Sequence, residues 1–395
     1  MLSDALDFLA AKFGNVVLKD ADGNPSVYVP FYKCLSSDLD ASLPGHTHPA
    51  FVVGSTEYDR ILIGKYMASP IGNGNTNLVS VPGKAPQVSM SADTFLTRMR
   101  AFKNGASGLT IADHGLILLM AKKYGWTPKG NNNYGQDYQD ATIWAAGQSI
   151  TVGPKRARYG WLYEAVVAHT SSDENAPDVN QVYWKKVKQI GGVMASNNLN
   201  TLTGSGPLSW CLGSDPGSLV DIQGNASEQV YGYRLVDGEI QILPNNDAAD
   251  PTVDLSATSS LWKAIKPSLT DETYTLVDPG TNGTLHWNWL NSKVTLDTTS
   301  IEDSESRSTA FTQLAVDSTH VPYIPTIMRE LGLFPCSGDT VTKGTVYVNL
   351  SGERFPRRGG SCTYTSSAGL GYMVAGYARS HTGTIYGGRG RFLET

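Results

Sequence analysis

The sequence predicts an α+β protein, loop-rich, with two main helices and short antiparallel sheets. Three observations carry that expectation. Glycine (41) and tyrosine (19) are plentiful among 395 residues, while charged residues make up only 17%, a mixture that favours irregular and β structure over helical bundles. Two windows, 92–104 and 110–125, place apolar residues at helical spacing between start and stop signals. The segment 233–242 alternates around Asp237-Gly238, a strong two-residue hairpin turn. Hydrophobic content of 40% supports a sizeable core, and the length allows two ordinary domains or one large, loop-rich one.

In chain order, residues 3–13 read as a short helix with Leu6, Leu9, Ala10 and Phe13 on one face and Gly14 as stop. Alone it is too short to be stable and must dock on a partner. Residues 26–32 and 61–66 read as strands around a loop holding His46 and His48, which lack a third ligand and are better loop residues than metal ligands. Residues 71–88 read as loop. The first main helix carries Phe95, Met99 and Phe102 on one face. The second opens with Thr110 and Asp113 at capping-box spacing and stops at Gly125. Segments 158–167 and 182–190 are β-type. Residues 248–320 are polar on the whole, with a short helix near 261–265 and an exposed acidic run at 298–307. Pro325 opens a further short helix, and 345–350 alternates as a strand.

That strand leads into the most informative stretch, residues 352–392. Arg358-Gly359-Gly360-Ser361, Gly369-Leu370, Arg379-Ser380 and Gly387-Gly388-Arg389 look like anchors. Glycine permits turns and close backbone approach, and arginine can pin carbonyls or a carboxylate. Between them lie Cys362, Thr363, Tyr364, Ser366, Ser367, Tyr372, Val374, Gly376, Tyr377, His381, Gly383, Thr384 and Tyr386, which are small, hydroxylated or aromatic and include no carboxylate and no lysine. Such a set has the chemistry of a binding surface, with tyrosine giving rigid contact area and serine and glycine giving adaptability.

The anchors follow a fixed order: RGGS, seven residues, GL, eight residues, RS, six residues, GxR. This order resembles the C-terminal repeat of the variable proteins made by diversity-generating retroelements, which include phage tail-tip tropism determinants and prophage adhesins. Every residue from Cys362 to Gly388 except Met373 belongs to the set that the family's mutated NNY codons can encode. Two other segments are similar to the family's lectin-like core: the loop 128–135 (PKGNNNYG) and 221–228 (DIQGNASE), where Gln229 replaces the usual aromatic. The resemblance implies a C-type-lectin-like fold close to that of formylglycine-generating enzymes. It divides the chain into an attachment segment (1–25) and one domain (26–395), with an insertion at about 248–320 and a variable region at about 352–392.

The implied function is a phage or prophage receptor-binding adhesin, attached to the tail as a homotrimer, that binds a host cell-surface protein or glycan. Scaffold roles fall to Arg358, Gly359, Gly360, Gly369, Arg379, Gly387 and Arg389, and ligand contacts to the thirteen residues between them. No cofactor, metal or nucleic acid is expected. The net charge of −5 argues against general nucleic-acid binding. The six arginines between Arg354 and Arg391 are read as loop-pinning groups. Formylglycine-generating enzymes need a cysteine pair after their GGS; Tyr364 stands where a cysteine is required and no second cysteine follows Cys362, so an oxidase or a tail-associated glycan-processing enzyme is the alternative reading. A structural virion protein is a second alternative. Calcium-lectin motifs, a P-loop, GxSxG and HExxH are all missing from the sequence. The four cysteines are too scattered for a metal cluster or a disulfide framework. The N-terminus lacks the basic region and apolar run of a signal peptide, and no stretch reaches about 18 apolar residues. Both points fit a protein made in a bacterial cytoplasm and carried in the virion.

Overall fold

The last strand among the described residues lies inside the first sheet, one place from its edge. In the computed structural model, which describes residues 2–71, 77–340 and 342–394, the strand Gly390–Phe392 sits between Arg60–Gly64 and Ala106–Gly108, both antiparallel to it. Pro25–Tyr32 and Val16–Lys19 complete these five strands. Val16–Lys19 pairs with Pro25–Tyr32, so the boundary expected at residue 25 runs through a hairpin. Only the helix Leu2–Lys12 stands outside the sheet. Its C-terminal end is tied down by Asn15, which donates to Gly217 O (2.6 Å) and accepts from Lys65 Nζ (2.8 Å). Ala10 is buried on the expected face and Leu6 half-buried, whereas Leu9 and Phe13 are exposed.

The second sheet carries the C-terminal stretch. Its strands run in the order Arg307–Ala310, Thr345–Val348, Gly369–Ala375, Arg357–Gly359, Ser227–Gln229 and Tyr386–Gly388. Three strand pairs are parallel among the described residues, two of them here, so the sheets are mixed rather than antiparallel throughout. A third sheet is built on the hairpin Tyr233–Val236 and Glu239–Ile242, with Asp237 (φ 50°) and Gly238 (φ 81°) at the turn as predicted. The segment expected to be an insertion, 248–320, supplies most of the other strands of that sheet. Lys263–Pro267 pairs directly with Glu239–Ile242, and Trp287, Val294 and Leu296 enter the main core. Residues 261–265, expected to be helical, are turn and strand instead. Two further corrections are smaller. Ala68–Ile71 and Asn77–Ser80 form a hairpin where loop was expected, and the loop reading of 72–76 lies outside the described residues. Pro325 caps the helix Thr326–Glu330 from just outside it.

Both main helices form. Ala92–Arg100 is capped by Ser91 and buries Phe95 and Met99. Ile111–Tyr124 has the Thr110/Asp113 capping box and a left-handed Gly125 as stop, and it is buried nearly all round, which marks it as the central helix. A small sheet, Lys155–Arg158, Trp161–Ala165 and Trp184–Gln189, closes over its own cluster of Ile150, Tyr163 and Trp184. The fold is therefore mixed α and β, sheet-rich and loop-rich, with few helices. No helix among the described residues is long and apolar enough to cross a membrane. All four cysteines are free.

Candidate functional site

Residues 357–361 run through the centre of the protein. Arg358 is fully buried and donates Nη2 to Gly332 O (3.0 Å) and Leu370 O (3.1 Å); burial pulls its guanidinium down to about 9. Gly359 and Gly360 both have φ 83°, a left-handed conformation that favours glycine. A Cβ on Gly360 would lie 2.6 Å from that of Ala368, and one on Gly369 would lie 2.3 Å from Lys343 O. On Gly387 it would sit 2.8 Å from Gln87 O. Arg379 bridges Glu353 (3.1 Å) and Asp93 (2.7 Å), and its carbonyl accepts from Ala92 N at the start of the 92–100 helix. Arg389 reaches Glu228, Gly64 O, Lys65 O and Val220 O. All seven residues expected to be scaffold thus sit buried with identified neighbours. Five of the six local arginines bond backbone carbonyls or carboxylates, and the sixth, Arg354, bonds Asn349 Oδ1 (2.7 Å).

The two internal motifs hold the start of the stretch. Asn225 Oδ1 accepts from Thr201 N (2.8 Å) and from Asn131 Nδ2 (3.2 Å), while Asn131 Oδ1 accepts from Gly135 N (2.7 Å). Cys362 N then donates to Asn225 O, Tyr134 N to Cys362 O, and Thr365 N to Asn132 O. The loop 128–135 and the turn 221–228 therefore clasp residues 362–365 from both sides. Each of these side chains satisfies backbone that no regular ladder serves.

The expected contact residues divide into three groups. Ser366, Tyr377 and Thr384 are exposed, and Thr363, Tyr364, Ser367, Gly376, His381 and Gly383 are half-buried. Cys362, Tyr372, Val374 and Tyr386 are buried, which corrects their assignment as ligand contacts. The reason is that Gly369–Ala375 is an inner strand covered on both faces, and Cys362 packs under the Asn225 clasp, where burial pushes its thiol up to about 12. Tyr372 and Tyr386 nevertheless support the exposed residues from beneath. Tyr364 stacks on Tyr372 at 5.3 Å between ring centroids, Tyr377 stacks on His381 at 4.3 Å, and Tyr377 meets Tyr386 at 5.6 Å. Burial, with Tyr377 and Tyr364 close by, pushes the Tyr386 hydroxyl up. Two segments thirteen residues apart in sequence thereby form one aromatic face.

Two members of this face escaped the sequence reading. Tyr347 packs on Tyr372 and donates to Ser367 Oγ; its alternation in the strand Thr345–Val348 gave only a strand signal. Arg357, beside the anchor Arg358, lies fully buried with its guanidinium 4.4 Å from the centre of the Tyr386 ring. Burial pulls its guanidinium down and also, with Arg357 nearby, pulls down the His381 imidazole.

Elsewhere, His46 Nε2 lies 2.7 Å from Glu330 Oε1, and the buried His48 bonds Glu330 O and Ala50 N, so both histidines serve loop structure. Asp297, Asp317 and His320 have ligand atoms close enough to share a metal ion. The Asp297 oxygens already accept from Asn288, Thr298 N, Thr299 and His320, which accounts for the cluster. A cavity of about 270 Å³ lies among Pro49, Ile111, Ile242, Tyr274 and Ile327, and no residue of the aromatic face lines it. No protein-family model matches the chain, and no curated protein matches its sequence.

Proposed function

We propose that this chain is a receptor-binding adhesin of a phage or prophage, with a C-type-lectin-like domain that presents a diversified surface to a host cell-surface protein or glycan. The observation that carries this reading is the division of labour within residues 357–389. The glycines and arginines at the expected anchor positions are buried and tied to distant backbone, while Thr363, Tyr364, Ser366, Tyr377, His381 and Thr384 lie between them at the surface. Side chains placed on backbone fixed in this way lose little conformational entropy on binding. They can also be exchanged without disturbing the core. Attachment as a trimer on a phage tail would raise a weak single-site affinity through multivalency. The exposed Phe8, Leu9 and Phe13 of the N-terminal segment support an attachment role there. In this reading the protein acts by binding and catalyses nothing.

Deep sequencing of codons 352–392 across a population carrying the gene tests the proposal. The expected result is variation at positions such as 363, 364, 366, 377, 381 and 384, with the glycine and arginine anchors fixed. A uniform sequence, with no adenine-substituted template repeat nearby, overturns the diversified-adhesin reading.

A further inference from the structure

We propose that the aromatic face formed by Tyr364, Tyr377 and His381 recognises a carboxylate-bearing sugar, with Arg357 as the buried positive charge beneath it; this rests on the receptor-binding reading above. Arg357 and the adjacent Arg358 have no acidic partner among the described residues, and of the two it is Arg357 that lies against tyrosine rings. Arg389 is paired with Glu228, Arg391 with Asp113, and Arg379 with Glu353 and Asp93. Arg357 is as fully buried as any of these, yet only its Nη2 is bonded, to His381 O at 2.9 Å. Its Nε and Nη1 have no hydrogen-bond partner among the described residues. The guanidinium carbon lies 4.4 Å from the centre of the Tyr386 ring and 5.8 Å from that of Tyr377. A ring face offsets part of the cost of burying a guanidinium, but not the whole cost of leaving it without a counter-ion.

The chain around this charge adds no compensation of its own, since residues 362–388 contain neither Asp nor Glu. What lies above Arg357 is a set of donors. Tyr364 and Tyr377 lie beside Tyr386, and Thr363, Ser366 and Thr384 of the same stretch bring further half-buried or exposed hydroxyls. A positive field capped by O–H groups selects an anion that can accept several hydrogen bonds, and a carboxylate does so. The stacked Tyr377–His381 pair, only 12° from parallel, offers a flat apolar surface that suits the C–H face of a pyranose ring, while its edge remains polar. Arg357 touches no ligand in this arrangement and acts through the tyrosines, as a positioning residue.

The test uses the full chain on sensors coated with polygalacturonate, hyaluronate or polysialate, each compared with its methyl ester and with poly-glutamate. The expected result is binding to at least one acidic polysaccharide that falls about tenfold on esterification, a loss of about 1.4 kcal/mol. Tyr377→Ala should abolish it. Arg357→Lys should keep the discrimination between acid and ester, and Arg357→Gln should lose it at unchanged melting temperature. If Arg357→Gln unfolds, the Lys variant and Tyr377→Ala still decide the matter. Equal binding to acid and ester shows that charge is not read, and equal binding to poly-glutamate shows an acidic protein ligand; either overturns the inference. If no polysaccharide binds while the chain adsorbs to bacterial cells through Tyr377, the sugar inference falls and the receptor-binding reading stands. If it neither binds polymer nor adsorbs to a panel of bacterial strains, both fall.

Discussion

Arg389 donates Nη2 to Glu228 Oε1 at 2.8 Å, with the arginine side chain fully buried and the glutamate 3% exposed. The same guanidinium reaches carbonyls of Gly64, Lys65 and Val220, so one side chain joins the C-terminal strand, the first sheet and the 221–228 turn. Removing one partner of a buried, hydrogen-bonded pair leaves the other charge uncompensated, at a cost of ~3–5 kcal/mol. Glu228→Gln should therefore lower stability by about that amount in urea unfolding. A loss below about 1 kcal/mol would mean that the carbonyls alone hold Arg389.

Gly360 and Gly352 separate backbone strain from steric exclusion. Both have positive φ, 83° and 69°, but a Cβ on Gly360 meets Ala368 while one on Gly352 meets nothing within 4 Å. Gly352→Ala should cost about 1 kcal/mol, through strain alone. Gly360→Ala should cost ~2–4 kcal/mol, because Ala368 sits on backbone and cannot swing aside. Thermal melting of the two variants side by side checks this. Equal losses would remove Gly360 from the scaffold.

The tyrosines of the variable stretch should split by burial. Tyr377→Ala is expected to change stability by no more than about 1 kcal/mol and to abolish ligand binding, since its ring is exposed and rests on His381. Tyr372→Ala should instead cost ~3–5 kcal/mol, as deletion of a buried aromatic ring does. Its ring is 1% exposed and is packed by Tyr347 and Tyr364. Binding and urea unfolding measured on both variants decide the matter. A stable Tyr372→Ala would show that the strand Gly369–Ala375 tolerates change from within.

That split shows which parts of the molecule were legible in the sequence. The capped helix Ile111–Tyr124 and the Asp237-Gly238 hairpin were readable because their determinants lie within a few residues of one another. The anchor glycines Gly359 and Gly360 were readable because positive φ leaves a residue-type signature. The strand Lys263–Pro267 reads locally as helix because its partner Glu239–Ile242, in the third sheet, lies outside the local window. Gly390–Phe392, three residues long, owes its place inside the first sheet to Arg60–Gly64, more than three hundred residues away. Tyr372 and Tyr386 look like contact residues because their strands, Gly369–Ala375 and Tyr386–Gly388, are buried throughout, so no alternation marks an inside and an outside. Arg357 could not be told from Arg358, since what distinguishes them is which carbonyls and rings each finds.

His48 gives the fold a dependence on pH whose sign is fixed by its surroundings. It is fully buried; its Nδ1 accepts from Ala50 N, and its Nε2 lies 3.1 Å from Glu330 O. Burial, aided by His46, pulls its imidazole down from 6.5 to about 3. The folded state therefore excludes a proton that the unfolded chain binds below about 6.5, and stability is lost as pH falls from there toward about 3. The buried His114 acts in the same direction. Asp221 opposes them: burial raises its carboxyl from 3.8 to about 6, so the folded state takes up a proton over that interval and gains stability as pH falls through it. The net slope of the wild type mixes these terms, but the difference between wild type and His48→Gln isolates one of them. Glutamine can still donate to Glu330 O without titrating. Below pH ~6.5 the stability of His48→Gln should fall less steeply than wild type, by about 1.4 kcal/mol per pH unit, in urea titrations at pH 7, 6, 5 and 4. Parallel curves would mean that His48 takes up its proton in the folded protein as readily as in the unfolded chain, and that its loop opens to let it do so.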